Sequence, residues 1–196
     1  MAEFLADLPV TRMPQGQHYG AAGNGVRVVV STASMASVVA AKGGRDDFNN
    51  ACERAVGVWP VDGPVVTASA DLAFIGTGPG RWLVVGESGT LAQRLTETLG
   101  PLAAVCDQSD AYILFDIDGD KARACMTKGA LIDFTGGFGP GDAATTVIDH
   151  IGVTLWQAGG APHYRIAVGR SFAPSFARGL LTAAAEYGVA WSDRGT

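Results

Sequence analysis

Apolar and polar residues follow a repeating order of strand and helix patterns from residue 26 onwards. Val26–Val30 and Ser37–Ala40 are rich in β-branched residues and predict strands. An acidic pair follows a Gly-Gly break and predicts a helix from Asp46 to about Val56. Its apolar residues recur at helical spacing, so this face predicts packing on a sheet. The face consists of Phe48, Ala51, Cys52 and Ala55.

The next segment predicts a hairpin and a second helix. Val65–Ile75 and Trp82–Val85 predict strands, and the glycine-rich run Gly76–Gly80 predicts the turn between them. Ser88 is the predicted N-cap of a helix with an apolar stripe, which ends at Gly100-Pro101. The stripe consists of Leu91, Leu95, Thr98 and Leu99.

The second half repeats this order of elements. The predicted elements are a strand at Ala111–Ile117, a helix at Lys121–Leu131, a glycine-rich loop at Thr135–Gly141, strands at Thr145–Ile148, Val153–Trp156 and Tyr164–Val168, and a helix at Phe172–Tyr187. The sequence therefore predicts an α+β fold built from two β-α-β-β-α repeats. Residues 1–25 lack periodicity and predict an extended arm, followed by halves at 26–101 and 102–196 within one compact unit.

Composition narrows the classes of function. Only 17% of the 196 residues are charged, against about 25% in globular proteins, while 47% are hydrophobic and 27 are glycine. An apolar chain with little charge is not intrinsically disordered. The net charge of −5 and the pI near 5.0 argue against binding to nucleic acid or to an anionic membrane.

Cysteine usage and apolar runs bear on location. Cys52, Cys106 and Cys125 are odd in number, far apart and set among apolar residues, which predicts buried thiols in a reducing cytoplasm. The acids near the start of the chain do not fit a secretory signal. Val28–Ala41, the longest apolar stretch, is shorter than the roughly 18 residues of a membrane-spanning helix.

Two serines follow strands and open helices. Gly169-Arg170-Ser171 has the context of a nucleophile elbow, but Ser88 stands in the same context one repeat earlier, and the repetition favours helix capping. The histidines His18, His150 and His163 all precede Ser171, contrary to the order of hydrolase triads. We therefore predict no nucleophile at either serine.

The remaining motifs also have structural explanations. Gly76–Gly80 opens a strand rather than a helix, and Gly136–Gly141 lacks the Lys-Ser/Thr of a phosphate loop, so both predict turns. Asp116, Asp118 and Asp120 resemble the start of a calcium loop, but Thr127 stands where the bidentate Glu is needed. A strand that ends at Asp118-Gly119 and a helix capped by an Asp is the preferred interpretation.

The histidines are too scattered for a zinc site, and the tryptophans are predicted core or interface residues. These tryptophans are Trp59, Trp82, Trp156 and Trp191. The residues themselves assign no catalytic, cofactor-binding or metal-binding position.

One long segment resembles a known family. Residues 109–134, SDAYILFDIDGDKARACMTKGALIDF, are similar to the central signature of the gamma subunit of heterotetrameric sarcosine oxidase. Shorter motifs occur in the same order as in that family. These motifs are Gly78-Pro79-Gly80-Arg81-Trp82-Leu83, Thr145–Ile148, Leu155-Trp156, Tyr164-Arg165 and Arg170-Ser171-Phe172. The likeness covers roughly residues 26–188.

The resemblance implies a fold and an assembly. It implies a mainly antiparallel sheet like the folate-binding domain of glycine-cleavage aminomethyltransferase, in a complex with alpha, beta and delta subunits. That complex demethylates sarcosine oxidatively to glycine and hydrogen peroxide, and it passes the one-carbon unit to tetrahydrofolate. FAD, FMN and NAD are then expected in the partners, and no catalytic residue is carried over to this chain.

Two alternatives stay open at this point. A free-standing folate-dependent enzyme of the aminomethyltransferase type needs a carboxylate in its pocket, for which Asp110 and Asp116 are available. The second alternative is a non-enzymatic module that binds a small molecule or serves in assembly. Under the subunit hypothesis, the low charge reflects an exterior buried against neighbours, with the glycine-rich loops and the arm among the contacts.

Overall fold

The computed structural model describes residues 11–160 and 162–194. Within them the chain forms twelve strands and four α-helices. The strands are β1 (His18–Tyr19), β2 (Val26–Ser31), β3 (Ser34–Ala40), β4 (Val66–Ala68), β5 (Leu72–Gly78), β6 (Arg81–Gly86), β7 (Ala103–Asp107), β8 (Tyr112–Asp118), β9 (Ala143–Ile148), β10 (Ile151–Gln157), β11 (Tyr164–Gly169) and β12 (Val189–Arg194). The helices are α1 (Arg45–Val56), α2 (Leu91–Leu99), α3 (Ala122–Thr127) and α4 (Ala173–Ala184).

The chain divides into two compact units. The first consists of the described residues of 1–32, 112–140 and 145–196, and the second of residues 33–111 and 141–144. The division differs from the predicted halves at 26–101 and 102–196, because β2 belongs to the first unit and β7 to the second.

A seven-stranded sheet forms the first unit, in the order β1-β12-β2-β8-β11-β10-β9. The register is antiparallel for β8 with β2 and β11, whereas β12 runs parallel to β2. Alternate residues of β2, β8 and β11 join residues of α3 and α4 in one apolar core. At its centre, the Phe115 ring lies 4.8 Å from Phe176 and 6.2 Å from Trp191, both edge to face.

The second unit has a five-stranded sheet in the order β4-β5-β6-β3-β7, with antiparallel register throughout. Its core includes buried residues of α1 and α2. As predicted, α1 carries Asp46 and Asp47 in its first turn, and it ends where Gly57 adopts a φ of 66°. Trp82 lies in this core, stacked on Phe48 at 5.1 Å.

Several predicted elements have different bounds. Val65–Ile75 is not one strand, because a turn closed by Ser69 N–H to the Leu72 carbonyl separates β4 from β5. Gly76 lies inside β5, so the turn is confined to Pro79-Gly80. The helix predicted to reach Leu131 ends at Thr127, since Ala130 leaves it to bridge Ile148 of β9.

The predicted caps are wrong in detail. Thr90 is the N-cap of α2, and the Ser88 hydroxyl lies 3.0 Å from the Thr90 hydroxyl instead of bonding into the helix. Phe172 is the N-cap of α4, with Ser171 inside a preceding 3-10 turn at Arg170–Phe172. Lys121 precedes α3 with no side-chain cap bond, so no aspartate caps that helix.

Three strands lie outside every predicted element. Tyr19 of β1 is buried beside Trp191 of β12, although the sequence predicts an unpacked arm over residues 1–25. The first ten residues of that arm lie outside the described residues. The third unpredicted strand is β7, a short run after Pro101 without the β-branched pattern of a buried strand.

Candidate functional site

The polar face of the first unit's sheet carries a group of charged side chains. Phe115 and Ile117 of β8 point into the core, so the alternation of a strand directs Asp116 and Asp118 to the opposite face. The register sets Asp118 opposite Arg27 of β2 and Asp116 opposite Arg165 of β11. Two acids therefore meet two bases on neighbouring strands.

Both acids form close ion pairs. Arg27 Nε donates to Asp118 Oδ1 at 2.7 Å, at the more exposed end of the group. Asp116 Oδ1 lies 3.0 Å from His163 Nε2 and 2.9 Å from Arg165 Nε. The Asp116 side chain is only 16% exposed, so its charge depends on these two neighbours.

Electrostatics favour the ionised form of Asp116. Burial raises the pKa of this carboxyl, but the His163 hydrogen bond and the charge of Arg165 outweigh burial and hold the pKa below its ordinary value. The Arg165 guanidinium also lies 5.6 Å from the centre of the buried Trp156 ring. Asp116 is therefore hydrogen-bonded to His163 and ion-paired with Arg165, and the Arg165 guanidinium in turn lies over Trp156.

A cavity of about 470 Å³ adjoins this group. Arg27, Asp118, Asp120 and His163 line it together with Gly119 and Pro162. The Asp116–His163 pair is the kind that orients an imidazole as a general base. None of the six lining residues is a serine, cysteine, threonine or lysine, so the cavity lacks a side-chain nucleophile for such a base.

The other candidate residues belong to different elements of the fold. Ser88 and Asp110 belong to the second unit, whereas Asp116 lies in the first. Ser171, also in the first unit, is exposed in its 3-10 turn, and His18 contacts Asn24 and the Ala21 carbonyl. Asp116 and Asp118 are paired with Arg165 and Arg27, so they do not offer the open carboxylates of a calcium loop. Within residues 11–160 and 162–194, no three His, Cys, Asp or Glu side chains are placed to hold a metal ion.

Two of the three cysteines are buried as predicted, and the third is exposed. Cys52 and Cys125 are buried, and burial raises the pKa of each to about 12. Cys106 is exposed, contrary to the prediction of three buried thiols, because it points away from the core on β7.

Sequence reasoning missed the pairing partners Arg27, His163 and Arg165. Arg27 and Arg165 are polar residues that alternate with apolar ones in β2 and β11, which is the sequence signal for side chains on the face opposite the core. Which acids they pair with depends on strand register, and no pattern of neighbouring residues predicts that register.

Asp116 and the first glycine run do not have the geometry of a folate or dinucleotide site. Of the two acids available for a folate amine, Asp110 and Asp116, the Asp116 carboxylate already accepts from His163 and lies beside Arg165. Gly76 lies within a strand, so the first glycine run cannot place a dinucleotide phosphate at a helix N-terminus. Among the described helices, none is long and apolar enough to cross a bilayer.

Comparison with known proteins gives structural neighbours. The chain is similar to the heterotetrameric sarcosine oxidase from Corynebacterium sp. U-96 in complex with pyrrole 2-carboxylate, with a TM-score of 0.76 and 24% identity over 86% of this chain and 88% of that chain. It is also similar to glycine cleavage system aminomethyltransferase T from Bartonella henselae, with a TM-score of 0.61 and 14% identity. That match covers 86% of this chain but only 48% of the aminomethyltransferase. The sequence matches no protein-family model and no curated protein. At these identities the neighbours establish the fold, which is the one that the sequence resemblance implies.

Proposed function

We propose that this chain is a non-catalytic, gamma-type subunit of a heterotetrameric sarcosine oxidase complex. The proposal rests on how much of each matched chain this chain covers. The chain spans 88% of the matched chain of the Corynebacterium oxidase but only 48% of the aminomethyltransferase. It therefore has the size of a separate chain of the oxidase and about half that of the free-standing enzyme.

Site chemistry supports a role without catalysis. Arg27, Asp116, Asp118 and Arg165 neutralise one another in ion pairs, and the adjoining cavity has no hydroxyl, thiol or lysine amine as a nucleophile. In the proposed complex, FAD, FMN and NAD belong to the alpha, beta and delta partners. Sarcosine is oxidised there to glycine, oxygen is reduced to hydrogen peroxide, and the one-carbon unit passes to tetrahydrofolate.

Exposed apolar side chains support association with partners. Leu131 is 83% exposed, Phe172 57% and Trp59 42%, on a chain in which only 17% of residues are charged. Obligate interfaces are depleted in charge and resemble a core cut in half. Free thiols are typical of a reducing compartment, so we place the complex in the cytoplasm.

Affinity purification of the tagged full chain from its native source tests the proposal. We expect three further subunits, flavin absorbance and sarcosine-dependent hydrogen peroxide in the complex, whereas the isolated chain is colourless and poorly soluble. A soluble monomer that oxidises sarcosine alone would refute the proposal. Purification without a flavoprotein, combined with saturable binding of tetrahydrofolate by the chain alone, would instead support the aminomethyltransferase-like alternative.

Variants at exposed positions sharpen the test. Leu131→Ser and Phe172→Ser remove apolar surface without opening the core, so the melting temperature of the chain is expected to change little. If these residues contact partners, either variant reduces the yield of co-purified subunits. Lys42→Ser, an exposed polar control, is expected to leave the yield unchanged.

A further inference from the structure

A second cavity lies within the first unit, beside α3 and α4. Its volume is about 240 Å³, and its apolar lining includes Met126, Phe176 and Leu180. Lys128 and Asp149 also line it. A dry cavity of about 150 Å³ already holds benzene, so this one has room for an aromatic ring with a short polar arm.

Of the two charged residues at this cavity, Lys128 has an ionic partner and Asp149 has none within the part of the chain that the structure describes. Lys128 Nζ contacts Glu186 and the Ala183 carbonyl, and it lies 4.4 Å from the centre of the Tyr187 ring. Burial lowers the pKa of Lys128, but Glu186 outweighs that effect and raises the pKa above its ordinary value. Among the described residues, no cation pairs with Asp149. The unmatched charge at the cavity is therefore negative.

A helical glycine leaves room for the Asp149 carboxylate beside α4. Asp149 and His150 adopt φ values of 47° and 68° in the turn from β9 to β10, and a tight hairpin turn accounts for these values. The turn does not account for Gly179 inside α4, where glycine is a poorer helix former than alanine. A Cβ at Gly179 would overlap the Asp149 carboxylate, so glycine is what lets the carboxylate lie against the helix.

We propose that this cavity binds a small apolar amine. The ammonium group pairs with Asp149 at the rim, and the apolar body lies against Phe176, Met126 and Leu180. An anion of the same size is disfavoured, since Lys128 is already paired with Glu186 and the Asp149 carboxylate repels a second negative charge. The inference concerns the chain itself and does not depend on the proposed subunit role.

Calorimetric titration of the full chain, with any partners it retains, tests this site. The probes are 2-phenylethylamine and its neutral isostere 2-phenylethanol. We expect the amine to bind tighter than the alcohol by up to about fivefold, the upper end of the range for a partly exposed ion pair. A saturable amine site without preference over the alcohol overturns the proposal, as does the absence of binding by either probe.

Two variants test separately the charge of Asp149 and the volume of the cavity. Asp149→Asn keeps the shape and suits positive φ, so it is expected to fold and to bind both probes equally. Ala183→Leu places a larger side chain in the lining of the cavity and is expected to abolish both binding events. Asp149→Asn alone decides the assignment if Ala183→Leu does not fold. Retention of the wild-type amine preference by Asp149→Asn overturns it, whether or not partners co-purify.

Discussion

Gly76→Ala tests the internal packing of the second unit. Gly76 lies in β5, and a Cβ built on it would be 1.8 Å from the Gly63 carbonyl oxygen. An ordinary contact between carbon and a carbonyl oxygen is about 3.3–3.6 Å, so the Gly63 segment must retreat by about 1.5 Å. The clash is with backbone, which cannot turn aside as a flexible side chain can.

The cost follows from what this retreat disturbs. Overpacking typically costs about 1–3 kcal/mol. Two hydrogen bonds are also at stake, from Gly76 N–H to the Val65 carbonyl and from Val65 N–H to the Gly63 carbonyl, at about 0.5–1.5 kcal/mol each. Alanine in a strand returns about 0.5–1 kcal/mol of backbone entropy. If both hydrogen bonds are lost, the net loss of unfolding free energy is therefore about 1–5.5 kcal/mol.

Urea denaturation of the full chain, followed by circular dichroism, measures this loss. Gly78→Ala is the matched control, since it makes the same change on the same strand and its Cβ would lie 4.0 Å from the nearest atom, Arg81 Cδ. The control is expected to be as stable as the wild type or up to about 1 kcal/mol more stable, because it gains the backbone entropy without the clash. The reasoning fails if Gly76→Ala is equally neutral, or if both variants lose the same stability.

Other expected outcomes concern side-chain charge and thiol exposure. Asp62→Ala removes the acceptor of Gly80 N–H at 2.7 Å and is expected to cost about 1 kcal/mol in a thermal melt, and an unchanged melting temperature would contradict this. Asp116→Asn is expected to destabilise the chain at pH 7. Because the folded pKa of Asp116 lies below its ordinary value of about 3.9, the wild-type advantage is complete above that value and disappears as the pH falls through the folded pKa. A difference in unfolding free energy that does not vary between pH 7 and pH 2 would argue against the ion pairs. A thiol reagent on the native chain is expected to label Cys106 quickly and to reach Cys52 and Cys125 only after unfolding, so rapid labelling of all three would contradict their burial.

Local patterns were sufficient where one residue type dictates one conformation. Asp46 and Asp47 lie in the first turn of α1 as predicted, and the apolar spacing correctly predicts burial of Phe48, Ala51 and Cys52. Ala55, the fourth residue of the predicted face, is exposed near the end of the helix. The strands β2, β8 and β11 also follow from their β-branched and aromatic residues. The prediction fails at Gly76, because a glycine that permits close approach of another segment has the same sequence signal as a glycine in a turn.

Strand β12 shows why some elements cannot be found locally. Its residues after Trp191 are polar, and it forms by pairing in parallel with β2, more than 150 positions earlier in the chain. Tyr19 is buried for the same reason, since β1 pairs with β12. Both strands owe their formation to long-range partners rather than to their own propensity.

The sequence by itself determined the α+β class and the apolar core positions of the main strands. It could do so because alternation, helical spacing and glycine breaks are properties of neighbouring residues. Only the tertiary structure decided that Asp116 meets His163 and Arg165, and that Asp149 lies against Gly179. Those contacts depend on strand register and helix placement, which are set by packing between residues far apart in the chain.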